Sequence, residues 1–92
     1  MAFEPSALLV RSPDIIASEV DGELVLISIQ DGKYFGLDAV GSEIWRQLET
    51  PRSVATLVEA LQAHFEGDAE TVKRDTIEFI EVLAAQALVR AA

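Results

Sequence analysis

KYFGLDAVGSEIWRQL, residues 33–48, holds the junction on which the fold turns. It opens with aromatic residues suited to a strand, Tyr34 and Phe35, and closes with helical spacing, Val40, Ile44, Trp45 and Leu48. Asp38 stands between the two halves. Its carboxylate can accept from the free amides of a first helical turn, so the strand is predicted to end there and a helix to run from Ala39 to Glu49. Gly41 inside that helix costs about 1 kcal/mol relative to alanine, so another backbone is expected to approach it closely. Thr50-Pro51 stops the helix, because the residue before proline avoids the α region.

Upstream, Ile15 to Val20 is rich in β-branched residues, and Glu23 to Gln30 alternates. Leu24, Leu26 and Ser28 fall on one side of that second segment, Val25, Ile27 and Ile29 on the other. Asp21-Gly22 and Asp31-Gly32 are both two-residue hairpin signals. With Lys33 to Leu37 as the third strand, the three segments form an antiparallel meander, one of whose outer strands leaves backbone groups unpaired at an edge. Residues 1–13 hold Pro5 and Pro13 and read as an N-terminal arm, with a short extended piece at Ala7-Leu8-Leu9-Val10. The opening Met1-Ala2-Phe3-Glu4-Pro5 lacks the basic flank and apolar core of a secretory signal.

Downstream, Ser53 caps a second helix to about Phe65, with Val54, Leu57, Val58, Leu61 and Phe65 at helical spacing. Gly67 is a left-handed terminator. Asp68 caps a third helix from about Ala69 to Gln86, and Leu88 and Val89 fold back on the core. The fold class is α+β: a three-stranded antiparallel sheet followed by three helices, in one domain over residues 1–92.

The function classes excluded are many. Sixteen acidic residues face seven basic ones, a net charge of −9. Phosphate backbones would be repelled, since nucleic-acid affinity rests on Lys and Arg. No apolar run approaches the ~20 residues that span a bilayer. There is no cysteine, and a cytoplasmic setting is the default. The single histidine, His64, sits at a helix C-terminus, where the dipole favours a cation. No metal-ligand spacing, nucleophile elbow or phosphate loop is present, so no catalytic residue, metal or cofactor is expected.

The third helix stands out. At 100° per residue, Val72, Thr76, Ile77, Phe79, Ile80, Leu83, Ala84 and Ala87 cover an arc of about 180°, against the ~100° that one packing partner requires. Either it is the central helix of a small core or part of the arc is a groove wall.

The run Tyr34-Phe35-Gly36-Leu37-Asp38-Ala39-Val40-Gly41, continuing to Ile44-Trp45, then Pro51-Arg52-Ser53-Val54-Ala55-Thr56-Leu57 and Arg74-Asp75-Thr76-Ile77-Glu78-Phe79-Ile80, resembles the PqqD-like family of leader-peptide recognition domains, the RiPP recognition elements. It is most similar to the free-standing members of lasso-peptide clusters. The resemblance covers residues 15–90. It implies a winged helix-turn-helix in which a precursor's leader peptide adds as a strand to the third strand, with the third helix as the other wall. It implies peptide-binding roles for Lys33, Tyr34, Phe35, Val72, Lys73, Asp75, Thr76 and Phe79. It also implies delivery to a leader peptidase and a cyclase, or, as in pyrroloquinoline quinone biosynthesis, to a radical SAM enzyme. A winged-helix DNA-binding regulator would share the topology but needs a basic helix face. The chain departs from the family at Thr76, usually a branched apolar residue, and at Ala87, usually glycine, which suggests that the third helix runs on.

Overall fold

The computed structural model describes residues 3–92; Met1 and Ala2 of the expected arm lie outside it. The strands and helices are β1 (Leu8–Arg11), β2 (Ile15–Val20), β3 (Glu23–Ser28), β4 (Tyr34–Gly36), α1 (Ala39–Gln47), β5 (Arg52–Ser53), α2 (Val54–His64), α3 (Ala69–Ala85) and β6 (Val89–Ala91). The meander is present as β2-β3-β4, antiparallel throughout. Val20 pairs Glu23, and both Asp21 and Gly22 take positive φ, as a two-residue type I′ turn requires.

The second Asp-Gly is different. Only Gly32 is left-handed. Ser28 pairs with Lys33 across a four-residue loop, its amide donating to the Lys33 carbonyl at 2.9 Å. The Ser28 carbonyl accepts from the Gly32 amide at 2.8 Å, and its hydroxyl from the Asp31 amide at 3.4 Å. Ser28 therefore ends β3 two residues before the expected Gln30.

A larger correction concerns the ends of the chain. The sheet is not simply followed by helices: a second sheet, β5-β1-β6, joins the N-terminal arm to the segment before α2 and to the C-terminal tail. Leu9 of β1 is fully buried, as are Leu88 and Val89 to within 2%. Arg11 extends from β1 over the Trp45 ring, 4.8 Å from its centre, and donates through Nε to the Trp45 carbonyl at 3.1 Å and through Nη2 to the same oxygen. This cation at the end of α1 meets both the helix dipole and an aromatic face. Burial lowers the Arg11 guanidinium below its ordinary value, with Glu49 opposing.

All three expected N-caps form. Asp38 accepts from Gly41, Ser53 from Thr56 and Asp68 from Thr71. The core lies between the inner face of β2-β3-β4 (Leu24, Leu26), α1 (Ile44, Trp45, Leu48), α2 (Leu57, Leu61) and α3 (Ile80, Leu83). No helix among the described residues is long and apolar enough to cross a membrane.

The third helix does not run on. It ends at Ala85, and Ala87 adopts φ 61°. The Leu88 amide donates to the Leu83 carbonyl at 2.9 Å and the Ala87 amide to that of Ala84 at 3.0 Å, the paired bonds of a Schellman cap, with Leu88 and Leu83 both buried. Burying Leu88 and adding Val89 to β6 outweighs the 1–2 kcal/mol that a left-handed alanine costs. Ala87→Gly is therefore expected to stabilise the protein by about 1 kcal/mol in urea unfolding; an unchanged or lower midpoint would contradict this account of the cap.

Candidate peptide-binding groove

The strand-to-helix junction is closed by one hydroxyl. Pairing of Leu24 with Leu37 would normally exchange two ladder bonds. One is made, Leu37 amide to Leu24 carbonyl at 2.8 Å. In place of the other, the Leu24 amide donates to Ser42 Oγ at 2.9 Å and Ser42 Oγ donates to the Leu37 carbonyl at 3.4 Å. Ser42 is fully buried. It ends the ladder and ties the first turn of α1 to β3. Ser42→Ala leaves a buried amide unpaired and is expected to destabilise by about 1–3 kcal/mol, measured by thermal or chemical unfolding.

Among the described residues β4 has β3 on one side and no strand on the other. Lys33 and Leu37 bond to β3 through Ser28 and Leu24, and Phe35 pairs with Leu26. By the alternation of antiparallel ladders, the amides and carbonyls of Tyr34 and Gly36 face outward. The β1 segment of the N-terminal arm does not fill this edge, because it is engaged with β5 and β6. Phe35 points inward, half-buried against the core. Tyr34, 72% exposed, stands on the outer face. Lys33 is exposed at the strand's start.

Asp38, two residues past Gly36, forms the rim of a groove between the start of α1 and α3, lined further by Val40, Asp75, Glu78, Phe79 and Val82. A second hollow continues it toward the start of α3, sharing Val40 and Asp75 and adding Phe65, Glu66, Asp68 and Val72. The wall is thus a stripe on α3, Val72, Asp75, Phe79 and Val82, at the 3–4 residue spacing of one helix face. Val82 is exposed.

Gly41 faces this wall. A Cβ there would overlap the Phe79 ring. The close approach expected at Gly41 exists, but to an aromatic side chain rather than to another backbone.

Of the five α3 residues singled out from sequence, Val72, Asp75 and Phe79 come together in the groove. Thr76 does not line it. It is fully buried, its hydroxyl donating back to the Val72 carbonyl at 2.7 Å. Lys73 lies elsewhere, in a shallow depression with Glu70, Arg74, Ile77 and Glu78. Gly36, Asp38, Val40, Glu78 and Val82 were not anticipated. Val82 continues the stripe three residues past Phe79, a spacing present in the sequence. His64 lies 3.8 Å from Glu43 and edge-on to Phe65. Among the described residues no group of His, Asp and Glu is placed to hold a metal ion.

The fold is similar to those of three solved structures. TbiB1 in complex with the TbiA(beta) leader peptide is 40% identical, with a TM-score of 0.78 over 88% of this chain and 94% of that one. Lasso peptide synthetase B1 complexed with the leader peptide is 21% identical, with a TM-score of 0.75 over 89% and 96%. The PqqD truncation of Methylobacterium extorquens PqqCD, a stand-alone RiPP recognition element, shares the fold at 15% identity, with a TM-score of 0.76 over 97% and 95%. The comparison with curated proteins finds no match. The family model for Coenzyme PQQ synthesis protein D matches residues 23–89. With the matched region running from β3 through α3 into the C-terminal strand, the chain belongs to the PqqD family.

Proposed function

We propose that this protein is a non-catalytic module that captures the leader segment of a ribosomally made precursor peptide. The leader adds antiparallel to β4, pairing with the outward groups of Tyr34 and Gly36, and sets alternate side chains into the groove against α3. The observation that carries this reading is a strand, β4, with β3 on one side only among the described residues, leading within two residues to Asp38 at the rim of a groove along α3. Lys33, Tyr34 and Phe35 form the strand side, and Val72, Asp75 and Phe79 the helix side. The three helices with the β2–β3 hairpin beside them support a winged helix-turn-helix description. Acidic residues Glu70, Asp75, Glu78 and Glu81 on α3, against Lys73 and Arg74, weigh against a DNA-binding use of that topology. The bound complex is delivered in the cytoplasm to a leader peptidase and a cyclase. Delivery to a radical SAM enzyme is the second reading, favoured by the PqqD description of the family model.

Titration of the labelled leader from the neighbouring precursor gene tests the capture step. Saturable binding is expected. No binding at ~100 µM, equivalent to about −5.5 kcal/mol, would count against it.

A further inference from the structure

The groove has an apolar floor and an acidic border. Val40, Phe79 and Val82 alternate with Asp38, Asp75 and Glu78 in one hollow, and Val40, Phe65 and Val72 with Glu66, Asp68 and Asp75 in the other. No lysine or arginine lines either hollow. Asp38 and Asp68 each commit one oxygen to a helix cap. Asp75, Glu66 and Glu78 have no cation paired with them among the described residues. Asp75 is shared by both hollows and stands between their apolar floors.

Resting on the leader-capture reading, we propose that the groove selects an extended segment with two apolar anchors flanking a lysine or arginine, and that Asp75 is the residue that reads this cation. The dimensions fit. From Val72 to Val82 the α3 stripe rises about 15 Å. Groove-facing side chains at i, i+2 and i+4 of a strand span about 13 Å. With i at the level of Val72, a basic residue at i+2 lies about 6.6 Å along the wall, within about 2 Å of the level of Asp75, while i+4 falls between Phe79 and Val82. A carboxylate at i+2 would face Asp75, with further acids on both borders, and be repelled.

The test uses three fluorescein-labelled peptides, Thr-Leu-Thr-Xaa-Thr-Leu-Thr-Ser-Gly-Ser, with Xaa as Lys, Gln or Glu, titrated by fluorescence anisotropy at low and high salt. The lysine peptide is expected to bind about tenfold tighter than the glutamate peptide at ~50 mM salt, a gap that narrows at ~500 mM. Asp75→Asn is expected to reduce the gap to about threefold. Glu59→Gln removes the same charge from an exposed site on α2, outside the groove, and is expected to leave the gap intact. Equal binding of all three peptides overturns the proposal while leaving leader capture standing. So does a gap that survives Asp75→Asn or collapses equally with Glu59→Gln. Failure of all three peptides to bind at about 1 mM while the pathway's leader binds also overturns it; failure of the leader as well brings down the capture reading too.

Discussion

Replacing Tyr34 with proline is expected to weaken leader binding tenfold or more while moving the unfolding temperature by only about 2 °C. The asymmetry follows from ladder phase. The Tyr34 amide is directed away from β3, so the substitution removes no bond within the meander. Proline is tolerated on an edge strand whose N–H faces solvent. For an added strand the same amide is a required donor. Its loss forfeits a hydrogen bond worth about 1 kcal/mol net and leaves a leader carbonyl unpaired at further cost. Each 1.4 kcal/mol is tenfold in Kd. Phe35→Pro is the matched control, since the Phe35 amide belongs to the β3 ladder. It is expected to lower stability by about 3 kcal/mol, through a lost ladder bond that Tyr34→Pro does not touch. Calorimetry on folded variants, paired with leader anisotropy, separates the two. Undiminished leader affinity in Tyr34→Pro would show that the leader does not pair with this edge.

Gly41→Ala is expected to be the most damaging conservative change to binding. Alanine suits the helix better than glycine by about 1 kcal/mol, and φ at Gly41 lies in the ordinary range. The added methyl nevertheless overlaps the Phe79 ring. Phe79 is only half-buried, so its easiest escape is outward, into the groove. Overpacking of this kind costs about 1–3 kcal/mol, offset in part by the propensity gain. The net loss of stability is therefore expected to be about 1 kcal/mol. Leader affinity is expected to fall further, by tenfold or more, because the displaced ring occupies the space between Val40 and Val82. A second substitution, Phe79→Leu in the Gly41→Ala background, frees that space and is expected to recover part of the affinity. If Gly41→Ala binds leader as well as the parent, the ring has moved elsewhere, and Phe79 does not set the shape of the groove.

Local signals were legible because they act within a few residues. Asp38, Ser53 and Asp68 each sit three positions before the amide they accept from, and Asp21-Gly22 needs nothing beyond its own φ angles. The second Asp-Gly misled because Ser28 captures both the Asp31 and Gly32 amides, a loop closure that outranks the dipeptide. Ala87 misled because its strain is local while the burial of Leu88 and Val89 that outweighs it depends on packing against distant segments. In the groove, the periodicity of α3 marked an apolar surplus but could not divide it. Thr76 and Phe79 are neighbours on the helical wheel, yet one is sealed in the core and the other faces the groove.

The sequence by itself determined the meander, the three caps, the helices they start and the acidic, cysteine-free character, since propensity, capping and hairpin chemistry operate over short spans. Only the tertiary structure decided that the N-terminal arm joins β5 and β6 rather than β4. Those strands are two to four residues long, with partners more than 40 residues away. Such pairings carry no local signature and form only where a folded core brings the ends together. Among the described residues, that choice leaves the β4 edge without a partner strand.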